Sequence, residues 1–168
     1  MKRILVILFI LAIAMLCCSC EKREPEEQPD PGVIMKKISG QFPEYKEINY
    51  ESGNEAKKLS ESNAAELYSD DKNKPVDLSK IEKYSVVSKS NTEIGIFKIY
   101  DKTNAHYVKE MANTRISKMQ NAGVSESTLN DAESRSYGNY VYYVSHPEKD
   151  KIFEIIEDTL RGENEKGV

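Results

Sequence analysis

Two histidines, three cysteines and ten tyrosines are the side chains with most chemistry to offer, and their spacing decides what that chemistry is. His106 and His146 stand far apart in the chain, and neither belongs to a His-x-x-x-His pair or a recognisable carboxylate set. No metal centre is predicted from them, and both read as surface histidines. Cys17, Cys18 and Cys20 crowd together near the N-terminus, and no cysteine follows Cys20. The part that folds therefore has neither an intramolecular disulfide nor a thiol nucleophile. Adjacent cysteines without a second cluster do not make a zinc site. The sequence has no Gly-x-Ser-x-Gly elbow, no Ser-x-x-Lys with supporting motifs and no glycine-rich phosphate loop. Accordingly no catalytic, cofactor-binding or metal-binding residue is assigned, and no cofactor is expected.

Tyrosine is the compositional oddity: ten residues, against four Phe and no Trp. Tyr137, Tyr140, Tyr142 and Tyr143 gather in one short stretch, where they would form an aromatic platform for a glycan or peptide. The plainer reading is that tyrosine suits strands, pairing across them with its hydroxyl in water. Arg115 interrupts an otherwise apolar helical stripe. Its stem can cover apolar surface while its guanidinium reaches solvent or Glu93, which makes packing or a salt bridge the expected role rather than anion binding.

The N-terminus carries the most specific signal. Lys2 and Arg3 precede an apolar run at residues 4–16, a 13-residue stretch too short for a comfortable membrane span. Residues 1–20 resemble a bacterial lipoprotein signal, in which the processed cysteine becomes the new N-terminus and takes acyl lipid such as palmitate. Cys20 is the expected attachment point, because Ser19 supplies the small residue before it; Cys18, preceded by Cys17, is the alternative. A plain secretory signal is the simpler reading of the same pattern. Residues 21–31, EKREPEEQPDP, hold three prolines among dense charges and read as a hydrated linker. Fully extended, that linker would reach about 35 Å.

Removing Lys2 and Arg3 with the signal takes the basic count from 24 to 22 against 28 acids, a balance near −6. That acidity, without a long basic block, argues against nucleic acid as a partner. It also gives the folded part no electrostatic reason to seek anionic lipid.

The remaining chain must supply the elements. Residues 32–161 are expected to form one domain, with residues 162–168 as a frayed tail. Asp30 and Pro31 open a helix whose apolar face is Val33, Ile34 and Ile38, closed by Gly40. Residues 41–59 carry no clear pattern. Ser60 or Ser62 caps a second helix through Ala64, Ala65, Leu67 and Tyr68. Ile81–Lys89 reads as a strand with a helical turn before it from Asp77, and Ser90-Asn91 as the turn into a strand at residues 92–100. That second strand sets Ile94 and Ile96 on one face and Phe97 and Ile99 on the other.

Asp101 and Thr103 offer oxygens to a helix start, after which Ala105, Val108, Ala112, Ile116 and Met119 recur at helical spacing, with Gly123 just beyond. Residues 122–132 are a polar connection. Gly138-Asn139 is a tight-turn signal between strands at Ala132–Tyr137 and Tyr140–Ser145. Ser145-His146-Pro147-Glu148 matches a capping box before a last helix facing inward through Ile152, Ile155, Ile156 and Leu160. The expected fold class is α+β: a small antiparallel sheet of about four strands, in two hairpins, with helices mainly on one face.

Four segments together resemble a bacterial lipoprotein family known as the domain of unknown function numbered 4358. They are residues 81–87 (IEKYSVV), residues 93–98 (EIGIFK), Val108 with Arg115-Ile116, and residues 138–141 (GNYV). The resemblance spans most of residues 30–160 and implies a small, tethered, extracytoplasmic protein. It implies no activity, ligand or catalytic residue.

The expectation is a protein anchored to the cell membrane on its outer side by N-terminal lipid. Its domain is read as a non-catalytic binding module for an envelope protein or glycan. An envelope enzyme acting on cell-wall or peptide substrates, or an assembly component of a surface complex, are the alternatives.

Overall fold

The computed structural model describes residues 28–71, 73–122 and 132–162. The three cysteines and the predicted signal lie outside these residues, as do Gly123 and residues 163–168. Gly162, expected in the frayed tail, instead caps the last helix with φ of 70°, its amide reaching the Asp158 and Thr159 carbonyls. One antiparallel sheet dominates: β1 (Tyr50–Glu51), β2 (Ile81–Lys89), β3 (Thr92–Ile99), β4 (Ala132–Tyr137) and β5 (Tyr140–Ser145), in the order β1-β2-β3-β5-β4. Four α-helices accompany it among the described residues: α1 (Pro31–Gln41), α2 (Glu61–Tyr68), α3 (Ala105–Asn121) and α4 (Lys149–Arg161).

The α+β class and both hairpins stand as the sequence predicts, with one strand more than expected. The addition is β1, a two-residue edge strand inside the unpatterned stretch 41–59, pairing Tyr50 with Val86 and Glu51 with Ser85. Two residues leave no room for an alternating pattern, so the sequence gives no signal for it.

The helices do not lie on one face. Ile94, Ile96, Tyr142 and Val144 pack with α1 and α4 through Ile34, Ile38, Phe153 and Ile156. Phe97, Ile99, Val141 and Tyr143 pack on the opposite side with α2 and α3 through Tyr68, Val108 and Ala112. The cause lies in the central strands: β3 is apolar on both faces, and every residue of β5 is buried. A strand apolar on both sides needs a layer over each. The edges are handled differently. β1 is short, while β4 carries Glu133 and Arg135, whose charges discourage further strand pairing.

Local chemistry explains the boundaries. The Asp30 carboxylate accepts from the Gly32 amide at 2.9 Å and caps α1, with Pro31 in its first turn. The buried face of α1 is Pro31, Ile34, Met35 and Ile38; Val33, expected inside, is 49% exposed because that face follows gaps of three, one and three. Ser60 caps α2 and Asp77 caps the turn before β2. Asp101 caps a single 3-10 turn, Lys102–Asn104, which leads into α3 and its predicted apolar face. Gly138 has φ of 56°, as its turn requires, and Ser90 takes φ of 52° in the other hairpin.

The capping box is not formed. Ser145 is still in β5, paired with Glu93 and Ala132, so its side chain faces the sheet layer rather than the helix start. His146 replaces it: its Nδ1 accepts from the Glu148 amide at 2.9 Å.

Candidate functional site

Among the described residues, Glu93 is the charge that the fold places deepest, with 3% of its surface exposed. The alternation of β3 sends it toward the α2–α3 layer, beside Ser88 on β2 and Ser145 on β5. Arg115 comes down from α3 and grips it in a two-pronged contact, Nε to Oε1 at 2.7 Å and Nη2 to Oε2 at 2.5 Å. Ser88 donates to Oε2 and the Tyr143 hydroxyl donates to Oε1, each at 2.5 Å. Tyr143 in turn meets the Tyr68 hydroxyl at 3.1 Å, joining α2 to the cluster.

Burial alone would raise the Glu93 carboxyl, but the hydrogen bonds and charge of Arg115, helped by Ser88 and Tyr143, hold it below the usual range. The hydrogen bond to Glu93 lifts Arg115 above its ordinary value. Burial, then the Glu93 charge, pushes Tyr143 far up, so its hydroxyl stays a donor. With four donors on its two oxygens, this carboxylate is spoken for. The arrangement is suited to locking five elements together rather than to exchanging a proton with a substrate.

Gly95 completes it. A Cβ at that position would lie 2.2 Å from the Tyr143 ring, so only glycine lets the ring cross β3 to reach Glu93. The Glu93–Arg115 contact was among the roles predicted for Arg115. Tyr68, Ser88 and Gly95 were not foreseen, although a lone glycine inside a strand does signal close approach.

The other predicted residues fall elsewhere. Tyr140, Tyr142 and Tyr143 are each at most 1% exposed, so they form no aromatic platform. Nor do their hydroxyls face water: Tyr140 donates to the Pro29 carbonyl and Tyr142 to Glu157 at 3.2 Å. An entirely buried β5 requires such internal partners. Only Tyr137 of the four is exposed, at 42%.

His106 is a surface residue, 3.2 Å from Glu110 one helical turn on. His146, expected at the surface, is 9% exposed and packs edge-on to Phe42 and Tyr45, with ring centroids at 5.4 and 5.9 Å. Desolvation lowers its pKa, against a smaller upward pull from Glu44 and Glu148. Among the described residues, no group of three His, Cys, Asp or Glu is arranged to hold a metal.

An open groove of about 630 Å³ runs between the segment after α2 and the exposed flank of α3, with Asp70, Lys74, Glu110 and Ser117 along it. Comparison with family models, curated proteins and solved structures found no match.

Proposed function

We propose that this chain is a lipid-anchored extracytoplasmic protein whose domain acts as a non-catalytic interaction module for another envelope component, protein or glycan. The observation that carries the reading is Ser19-Cys20 behind a basic start and a 13-residue apolar run, followed by a charged, proline-bearing linker. The buried Glu93 cluster supports the non-catalytic part, since its oxygens already hold four internal donors. Membership of the family numbered 4358 is proposed with it, on the segments at residues 81–87, 93–98 and 138–141 and on Val108 with Arg115-Ile116.

The groove along α3 is the proposed contact face. Glu110 and Ser117 are exposed there, so Glu110→Arg with Ser117→Arg would change its charge and shape without disturbing the core. Affinity capture from native membranes should recover a reproducible partner with the wild type and lose it with this variant, at unchanged Tm. Recovery of no reproducible partner by the wild type would refute the interaction reading. Turnover of a cell-wall or peptide substrate by the purified protein would favour the enzyme instead.

A further inference from the structure

We infer that the end of the domain where the linker leaves, carrying Tyr100 and Tyr137 beside Lys80, Lys102 and Arg161, rests against the headgroup region of the bilayer. This rests on the lipid anchor proposed above and goes on to orient the domain over its membrane.

The place of attachment comes first. Asp30 forms a 2.6 Å salt bridge with Lys83, and the Pro29 carbonyl takes the Tyr140 hydroxyl. The side-chain amide of Gln28 comes within 3.8 Å of the space beside Gly138. Residues 28–31, assigned to the linker from sequence, are thus fastened to the sheet at the β4–β5 turn, and the linker ends before them. Only eight residue steps separate Cys20 from Gln28, which span about 28 Å at full extension. An anchor at Cys20 therefore keeps this end of the domain near the membrane.

The surface chemistry of that end fits an interface. The exposed large hydrophobic residues among those described are Val33, Tyr100 and Tyr137, at 49%, 64% and 42%. All three belong here. Val33 lies in the first turn of α1, and Tyr137 immediately precedes the Gly138 turn. Tyr100 follows Ile99, whose amide donates to Asn139 of that same turn at 2.8 Å. Tyrosine is favoured at bilayer interfaces because its ring prefers apolar surroundings and its hydroxyl prefers water.

Cations accompany the rings. The Tyr100 amide donates to the Lys80 carbonyl, Lys102 is exposed two residues on, and the Arg161 guanidinium lies 5.9 Å from the Tyr137 ring. Asp77 and Asp101 each turn an oxygen to a backbone amide of their own turn, from Ser79 and Thr103. Lys80 also lies 3.9 Å from Asp77, and Arg161 pairs with Glu157 and Asp158 at 3.1 and 4.0 Å, so Lys102 is the cation that adds most to the patch. With the mature chain acidic overall, proximity imposed by the tether, rather than net charge, brings this end to the lipid.

The chain has no tryptophan, so each of Tyr100→Trp, Tyr137→Trp and Asn91→Trp carries a single reporter. Asn91 lies in the β2–β3 turn, at the opposite end of β3 and about 25 Å away. Each full-length variant would be extracted from membranes, checked for acylation by intact mass, and placed in phosphatidylethanolamine–phosphatidylglycerol vesicles whose acyl chains are brominated near the headgroup. Fluorescence at positions 100 and 137 should be quenched, and at position 91 preserved. Acylated protein with equal quenching at all three positions, or with quenching at 91 alone, would overturn the orientation and leave the anchor standing. Protein lacking acyl lipid would overturn both.

Discussion

Gly95 has no side chain because Tyr143 fills the space where one would project, and Tyr143 must lie there to reach Glu93. Gly95→Ala should therefore destabilise the domain by about 1–3 kcal/mol through overpacking. Gly40, in α1 with nothing within 4 Å of its added Cβ, should respond oppositely, with Gly40→Ala gaining roughly 0.5–1 kcal/mol. Urea melts of the pair check both signs, and equal losses would show that crowding is not what excludes alanine at 95. Glu93→Gln removes the charge that Arg115 is gripping and leaves a cation half-buried; the expected loss is about 3–5 kcal/mol.

His146 and Glu93 also set the response to acid. The folded state holds His146 below its usual 6.5, so the unfolded chain takes up that proton first, and stability falls as pH drops below about 6.5. Glu93, depressed below 4.5, contributes stability above that value and loses it as pH falls through its folded pKa. His146→Asn, which keeps an acceptor near the Nδ1 position, should abolish the first decline and spare the second. Thermal melts across pH would show this, and an unchanged profile would mean that His146 is not the titrating group.

Among the elements, the hairpin turn at Gly138-Asn139 needs a left-handed residue, which glycine supplies. Gly138→Val must place a β-branched residue at φ of 56°, and the domain should lose about 1–3 kcal/mol. An unchanged Tm in differential scanning calorimetry would contradict the turn geometry. Both β-hairpins and α3 were legible in the sequence because each repeats its pattern over six residues or more. β1 was not, being two residues long. The two-sided arrangement of helices was written in Ile94 and Ile96 against Phe97 and Ile99, but counting hairpins alone suggests one covered face. The capping-box motif misled because local spacing cannot tell whether Ser145 has left the strand. The Glu93 cluster joins residues up to 75 positions apart, and such separations leave little trace in local pattern.

At the scale of the molecule, the two layers of helices bury both faces of the sheet, and the Glu93 cluster ties β2, β3, β5, α2 and α3 into one unit. The contact faces proposed above are the outer flank of α3 and the end from which the linker departs. The proposed role depends on that linker ending in lipid. Intact-mass analysis of the protein extracted from its own membranes is the most direct measurement. The mass expected is that of a chain beginning at Cys20 and carrying acyl groups. An unmodified chain, or one beginning at a residue other than Cys20, would contradict it.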